Sequence, residues 1–354
     1  WEPGAAPNED DSKEVNLNLH IPGYQMDMNR EINGSVDYIR KRLAPPGKPV
    51  DVFLWTGNTA PSAEALAISD AAGLLNMNGG DTAITRSNPS LTEVRSWGLR
   101  KGGHLQIYAP VTNENIYTNL WHGPFYGFER VIETFEMTEA PRRLKAVDIY
   151  YHSYSASKQA SIKALHRIYQ WALAQRLNPV YSSEYIRKVQ DFYEFAIGRD
   201  AQGWRLRGPG QLRTLRMPPG MALPSMAASN GIAGYAKGAD GSYLHLAGSA
   251  GYLVQQTQQD AAGAAAHASR PYLVDANARL TQWQPQADGG VRFALQGHVP
   301  LELRMYLPAG CSLSSANAAT PLLAVAGADT GNANLRSFRS TQNSVELQAQ
   351  CRGL

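Results

Sequence analysis

Long apolar runs are missing from this sequence. The longest are strand-sized, well short of the roughly 20 residues a membrane-spanning helix needs, and no basic-then-apolar signal pattern opens the chain. No membrane span is expected. Charge of one sign is equally scarce: 33 Lys and Arg stand against 30 Asp and Glu, a formal net charge of +3, and no basic run concentrates them. Nucleic acid is therefore not the expected partner. Cysteine is confined to Cys311 and Cys351, without a CxxC or a His pair at zinc-finger spacing. Two lone cysteines in a β-rich region fit either one disulfide of an exported protein or two buried thiols.

The other signatures that would name a chemistry outright are also absent. His20, His104, His122, His152, His166, His245, His267 and His298 share no ligand spacing, and neither HExxH nor HxxxH occurs, so no complete metal site can be read from the chain. Ser153, Ser155 and Ser157 near His152 lack a GxSxG elbow, which argues against a serine esterase. Asn78-Gly79-Gly80-Asp81 is not a GxGxxG loop, which leaves nucleotide binding without support.

What is present is enough for two domains: 354 residues, 43% of them hydrophobic, can bury a real core. Up to about Gly198 short β-rich runs alternate with longer helical ones, the pattern of parallel β/α architecture. Val50 to Trp55, Leu74 to Met77, Leu105 to Val111 and Leu144 to Tyr151 read as strands. Helices are expected from Arg30 to Leu43, after Pro61, through Ile162, Leu165, Ile168, Tyr169, Ala172 and Leu173, and from about Glu184 through Ile186, Val189, Phe192, Tyr193 and Ile197. From Gly203 the runs shorten and alternate, as Leu301, Leu303, Met305 and Leu307 do, and Asp288-Gly289-Gly290 marks a hairpin. The expected architecture is part of a β/α barrel over residues 1–200 and a β-sandwich over residues 201–354.

In such barrels functional groups gather where strands end, because the strand fixes the backbone and the loop is free to vary. The polar clusters fall there: Asn58 beyond Trp55; Asn78 and Asp81; Asn113, Glu114 and Asn115; and His152 with Tyr154. Amides, carboxyls and aromatics such as Trp55 and Trp121 on one rim suit the hydroxyls and flat faces of sugars; taken singly, the same residues are turn and cap chemistry. His152 can titrate near neutral pH and protonate a leaving amine, or it is a buried, hydrogen-bonded core histidine. Asp81, Glu114 and Glu184 are candidates for a glycosidase carboxyl pair.

Several strings are specific when read together: Arg30-Glu31-Ile32-Asn33-Gly34-Ser35-Val36, Leu54-Trp55-Thr56-Gly57, Asn76-Met77-Asn78-Gly79-Gly80-Asp81-Thr82, Asn113 to Trp121, and Ile149-Tyr150-Tyr151-His152-Ser153-Tyr154-Ser155. They resemble the deacetylase region of the PelA family, bifunctional glycoside hydrolases and polysaccharide deacetylases of Pel exopolysaccharide biosynthesis. The resemblance covers about residues 16 to 250. It implies the second half of a NodB-like (β/α) barrel with a β domain behind it, a periplasmic location, and de-N-acetylation of an N-acetylgalactosamine-rich polymer.

The resemblance further implies a divalent metal, Zn²⁺, whose Asp-Gly-Asp and His-x-x-Ser-His motifs are absent from this chain and are expected in an upstream region of the same protein, ahead of Trp1. By the family's pattern His152 matches the general-acid histidine, while Asp81, Arg30 and Glu31 fall where base and acid are oriented. Trp55, Asn58, Asn78, Asn113, Glu114, Asn115, Trp121, Tyr154 and Glu184 are the expected sugar contacts. A periplasmic export scaffold is a further expected partner. The rival expectations are a glycosidase and a non-catalytic polysaccharide-binding or scaffold-docking module.

Overall fold

The computed structural model describes residues 22–140, 142–256, 270–317, 321–325 and 332–352. The chain divides into two compact units, the first ending at Gln175 and the second beginning at Arg176.

In the first unit residues 30–43 are helical: an α turn, Ser35–Tyr38, sits between the wider turns Arg30–Gly34 and Ile39–Leu43. Ala44 then leaves the helical region, as a residue before proline must. Strands Val52–Leu54 and Leu75–Met77 pair in parallel. Helix Ala63–Ala71 connects them, and Ser62 caps it by accepting from the Ala65 N–H. Ile32, Val36, Trp55, Ala65, Leu66 and Leu74 form the core beneath this layer.

Strands Gly98–Lys101 and His104–Ile107 make an antiparallel hairpin. One side chain couples it to the parallel pair: the Asn76 amide donates to Leu105 O at 3.0 Å, and its Oδ1 accepts from Ile107 N at 3.3 Å and from the Trp55 indole at 3.0 Å. Asn76 is buried, so satisfying all its polar atoms this way avoids the penalty of unpaired groups in a dry interior.

A second core joins Val111, Tyr117, Phe128, Val131, Phe135, Leu165 and Ile168, with Val147 and Ile149 packed against it. Helix Gln159–Ala174 contributes Ser161, Ala164, Leu165 and Ile168 to the buried side, while Tyr169 and Leu173 are exposed. The buried stripe is thus rotated from the expected one. Its small residues allow close approach, and Trp171 stacks on Phe135 at 5.4 Å.

These observations overturn the expected β/α barrel. A barrel requires every strand to be laddered on both sides. Here the described strands of the first unit form only a parallel pair and a hairpin, and the described residues of the whole chain make six sheets of two to four strands, five of them antiparallel, with no closed barrel among them. The run Leu105 to Val111 contracts to His104–Ile107, and residues 144–151 form no strand. The apolar residues of 146–150 are half-buried chain with no strand beside it, which apolar content alone does not separate from a laddered strand.

The second unit opens with helix Ser182–Glu194 and two three-stranded antiparallel sheets, Ala196–Arg199 with Trp204–Arg207 and Ala250–Leu253, and Thr214–Met217 with Gly241–Leu246 and Ile232–Gly238. Leu206, Met217, Ile232, Leu244, Leu246 and Leu253 fill the core they share. Two four-stranded antiparallel sheets follow. One runs Tyr272–Ala276, Leu301–Tyr306, Leu335–Ser340, Leu323–Val325; the other runs Arg279–Pro285, Val291–Gln296, Ser344–Cys351, Cys311–Ser315. Residues from both sheets meet in one core, and Leu301, Leu303 and Met305 point into it while their neighbours are half-buried. Cys311 and Cys351 face each other across their ladder and are disulfide-bonded. Among the described residues no helix is long and apolar enough to cross a membrane.

Candidate functional site

The loop after Leu75–Met77 has an unusual backbone. Asn78, Gly79, Gly80 and Asp81 all have positive φ, at 114°, 95°, 89° and 45°. A Cβ on Gly80 would lie 2.5 Å from the Tyr108 ring, so glycine is required by space as well as by conformation. The turn points the buried Asn78 amide inward, where it donates to Trp55 O at 2.9 Å and to the Tyr150 hydroxyl at 3.1 Å. Asp81 is exposed and accepts from the Thr112 hydroxyl at 3.2 Å.

Asn113 caps the short helix Glu114–Tyr117 by accepting from Asn115 N. That places Glu114 in the first turn with its side chain fully buried. From the other side comes the segment 147–152, which has no regular secondary structure. Val147 and Ile149 pack against the core, the Tyr150 and His152 rings lie 5.9 Å apart, and Asp148 acts electrostatically on Tyr150.

Glu114 Oε1 accepts from the His152 backbone N–H at 3.1 Å, contacts His152 Nδ1 at 2.9 Å, and lies 3.4 Å from the Ser155 hydroxyl. Its other oxygen, Oε2, is buried with no hydrogen-bond partner among the described residues. A carboxyl oxygen accepting at Nδ1 fixes that proton and leaves Nε2 to exchange protons with a ligand. The Tyr154 hydroxyl, 3.0 Å from Nδ1, donates to Asn115 Oδ1 at 3.1 Å, and the two rings stack at 4.9 Å.

Three neighbours are electrostatically tuned. Burial pushes the Asp148 carboxyl up to about 6, and this residue has no hydrogen bond to another described residue. Burial also raises Tyr150, against a lowering hydrogen bond from Asn113, and the fields of Glu114, Asp148 and Asp81 add to the rise. Tyr154 is pushed up to about 12, chiefly by burial.

Aromatic rings extend the site on its other flank. Trp121 lies 5.0 Å from Tyr154 and 4.9 Å from Phe125, and the Lys158 ammonium sits 5.1 Å above the Phe125 ring. Trp121 is held there by three successive left-handed residues, Asn119, Leu120 and Trp121, with φ of 50°, 51° and 64°. Each costs a non-glycine residue about 1–2 kcal/mol.

The structure therefore brings together Asn78, Asn113, Glu114, Asn115, Trp121, His152 and Tyr154. It treats the remaining candidates differently. Trp55 is 7% exposed, so its ring belongs to the core. Asn58 is exposed and closes a local turn by accepting from Ala60 N. Arg30 donates to Gln25 O and stacks on Tyr24, and Glu31 N bonds Asp27 O; none of these contacts reaches His152. Glu184 belongs to the second unit, where its carboxyl accepts from the Tyr181 N–H at 2.9 Å and bonds His298 Nε2 at 2.7 Å. These partners hold its carboxyl below the usual range, against the opposing effect of burial.

Sequence reasoning misses Asp148 and the Phe125–Lys158 pair as parts of this group, and it places Tyr150 and Ser155 in the His152 cluster without giving either a role in the site. Among the described residues no group of three or more His, Cys, Asp or Glu side chains could hold a metal ion, so they do not fit a zinc site. His20 and His267 lie outside the described residues. In comparisons with known proteins, no family model, no curated sequence and no solved structure matches the chain.

Proposed function

We propose that this chain is the acid-bearing part of a polysaccharide de-N-acetylase of the Pel exopolysaccharide type, acting in the periplasm on an N-acetylgalactosamine-rich polymer. The observation that carries this reading is the double hold of buried Glu114 on His152, through its backbone N–H and Nδ1. In amide hydrolysis the carbon–nitrogen bond of the tetrahedral intermediate breaks only if the departing nitrogen receives a proton. His152 Nε2–H supplies that proton; the electron pair of the broken bond stays on nitrogen, and the products are acetate and an amine. Glu114 keeps the ring in the donating orientation throughout, as a positioning residue.

The base, and the Zn²⁺ that the resemblance implies, are assigned to the upstream part of the same protein, and none of the steps above depends on them. A periplasmic export scaffold remains a proposed partner. The glycosidase reading requires two carboxyl groups that flank a bond, but of its three candidates Glu114 is fully buried and Glu184 is engaged by Tyr181 and His298, which leaves Asp81 as the one exposed carboxyl among them. The test is product analysis on the complete enzyme with N-acetylgalactosamine oligomers. Acetate without new reducing ends supports the proposal; new reducing ends indicate a glycosidase, and binding without either product indicates a docking module.

A further inference from the structure

The rings beside His152 form a continuous row. Tyr150 lies 5.9 Å from His152, His152 4.9 Å from Tyr154, Tyr154 5.0 Å from Trp121 and Trp121 4.9 Å from Phe125, with Lys158 beyond. We infer that Trp121, Tyr154 and Phe125 form a stacking subsite for an uncharged N-acetylhexosamine unit, next along the polymer from the unit whose amide meets His152. This rests on the function proposed above for the identity of the polymer.

Three observations carry it. The left-handed run Asn119–Leu120–Trp121 closes the end of helix Glu114–Tyr117, with Leu120 N donating to Asn115 O and His122 N to Thr118 O; it leaves Asn119 and Leu120 exposed and brings Trp121 against Tyr154. Strained non-glycine residues of this kind cluster at ligand sites. Next, apolar surface stays open around the row, with Leu120 62% and Tyr126 61% exposed. The C–H face of a pyranose covers such rings while its hydroxyls stay wet or reach Asn115 and the Tyr154 hydroxyl. The third is charge. Lys158 has no acidic partner among the described residues, and its cation beside the rings opposes a de-N-acetylated unit carrying an ammonium while leaving an acetamide unaffected. The subsite thus favours stretches of polymer that still have acetyl groups to lose.

The test is titration of the whole chain with an N-acetylgalactosamine tetramer and with its fully de-N-acetylated counterpart at pH 6, where amines are protonated, followed by calorimetry and tryptophan fluorescence. The acetylated tetramer is expected to bind the tighter. Trp121→Ala should weaken its binding by roughly tenfold, the scale of one aromatic contact, and Trp121→Phe should restore most of it. Lys158→Ala should narrow the difference between the two ligands. No binding of the acetylated tetramer, unchanged affinity in a folded Trp121→Ala variant, or a preference for the de-N-acetylated ligand would overturn the inference. Tryptophan-dependent binding without acetate release from the complete enzyme would remove hydrolysis and keep the subsite. Acetate release with affinity indifferent to Trp121 would do the reverse.

Discussion

His152 and Glu114 are joined at two points, backbone N to Oε1 at 3.1 Å and Nδ1 to Oε1 at 2.9 Å, with the carboxyl completely shielded from solvent. The pair fixes both the ring and the chain that carries it. Glu114→Ala should therefore destabilise the first unit by about 2–4 kcal/mol, since it leaves buried donors unpaired as well as a void. Glu114→Gln keeps the shape and one acceptor, so it should fold with a smaller loss while lowering acetate release in the complete enzyme at least tenfold. Denaturant midpoints and turnover measured on both variants check this; a Gln variant with normal turnover would remove Glu114 from positioning the acid.

Asp148 supplies a pH dependence. Its folded carboxyl is raised from 3.8 to about 6, so between those values the native state holds a proton that the unfolded chain has released. Stability from this group is therefore complete below about pH 4 and is lost as pH rises through about 6. Asp148→Asn should raise stability at pH 7 by on the order of 2 kcal/mol and flatten the decline across that window. Thermal melts of both proteins from pH 4 to 7 provide the measurement, and an unchanged slope would contradict the assignment.

Gly80 and Gly57 make a matched pair. Both have positive φ, 89° and 64°, but an added Cβ would strike the Tyr108 ring at Gly80 and meet nothing within 4 Å at Gly57. Gly57→Ala should cost about 1 kcal/mol from conformation alone. Gly80→Ala adds overpacking and should cost about 2–4 kcal/mol, and it should also disturb the Asn78 contacts with Trp55 and Tyr150. Chemical denaturation distinguishes the two; equal costs would mean that Tyr108 moves aside freely.

The Cys311–Cys351 disulfide closes a loop with a sequence separation of 40, worth about 3–4 kcal/mol in the chain-entropy model. Non-reducing denaturation should reveal almost no free thiol, and reduction should lower the midpoint of the second unit while leaving that of the first unchanged. Two labelled thiols in the untreated protein would refute the bond.

Local features were legible in the sequence where one physical signal dominated. Leu301, Leu303 and Met305 alternate because one side of their strand faces a core, and the helical run expected after Pro61 is helix Ala63–Ala71, although Ser62 is its cap and Pro61 lies before it rather than in its first turn. Residues 144–151 are not a strand, because an apolar run reports burial and says nothing about whether a neighbouring strand exists to bond with. The expected barrel rests on that run and on the resemblance. At the site, Asn78, Glu114 and His152 do lie close together, through Asn78 to Tyr150 and Glu114 to His152, but of the three only Asn78 directly follows a strand, and residue type alone does not tell that Glu114 faces inward to an imidazole, or that Trp55 is core. Glu184, a candidate carboxyl on residue type, is occupied because at the third helical position it reaches back to accept from the Tyr181 N–H, and it also bonds His298.

The most direct test is acetate release by the complete enzyme carrying His152→Ala, with the thermal midpoint measured on the same sample. If His152 delivers the proton to the departing amine, turnover falls by roughly 10²–10⁴ while the fold and polymer binding persist, because the imidazole is partly exposed and contributes little packing. A folded His152→Ala enzyme that releases acetate at a near-normal rate would contradict the account, as would a variant whose only defect is lowered stability.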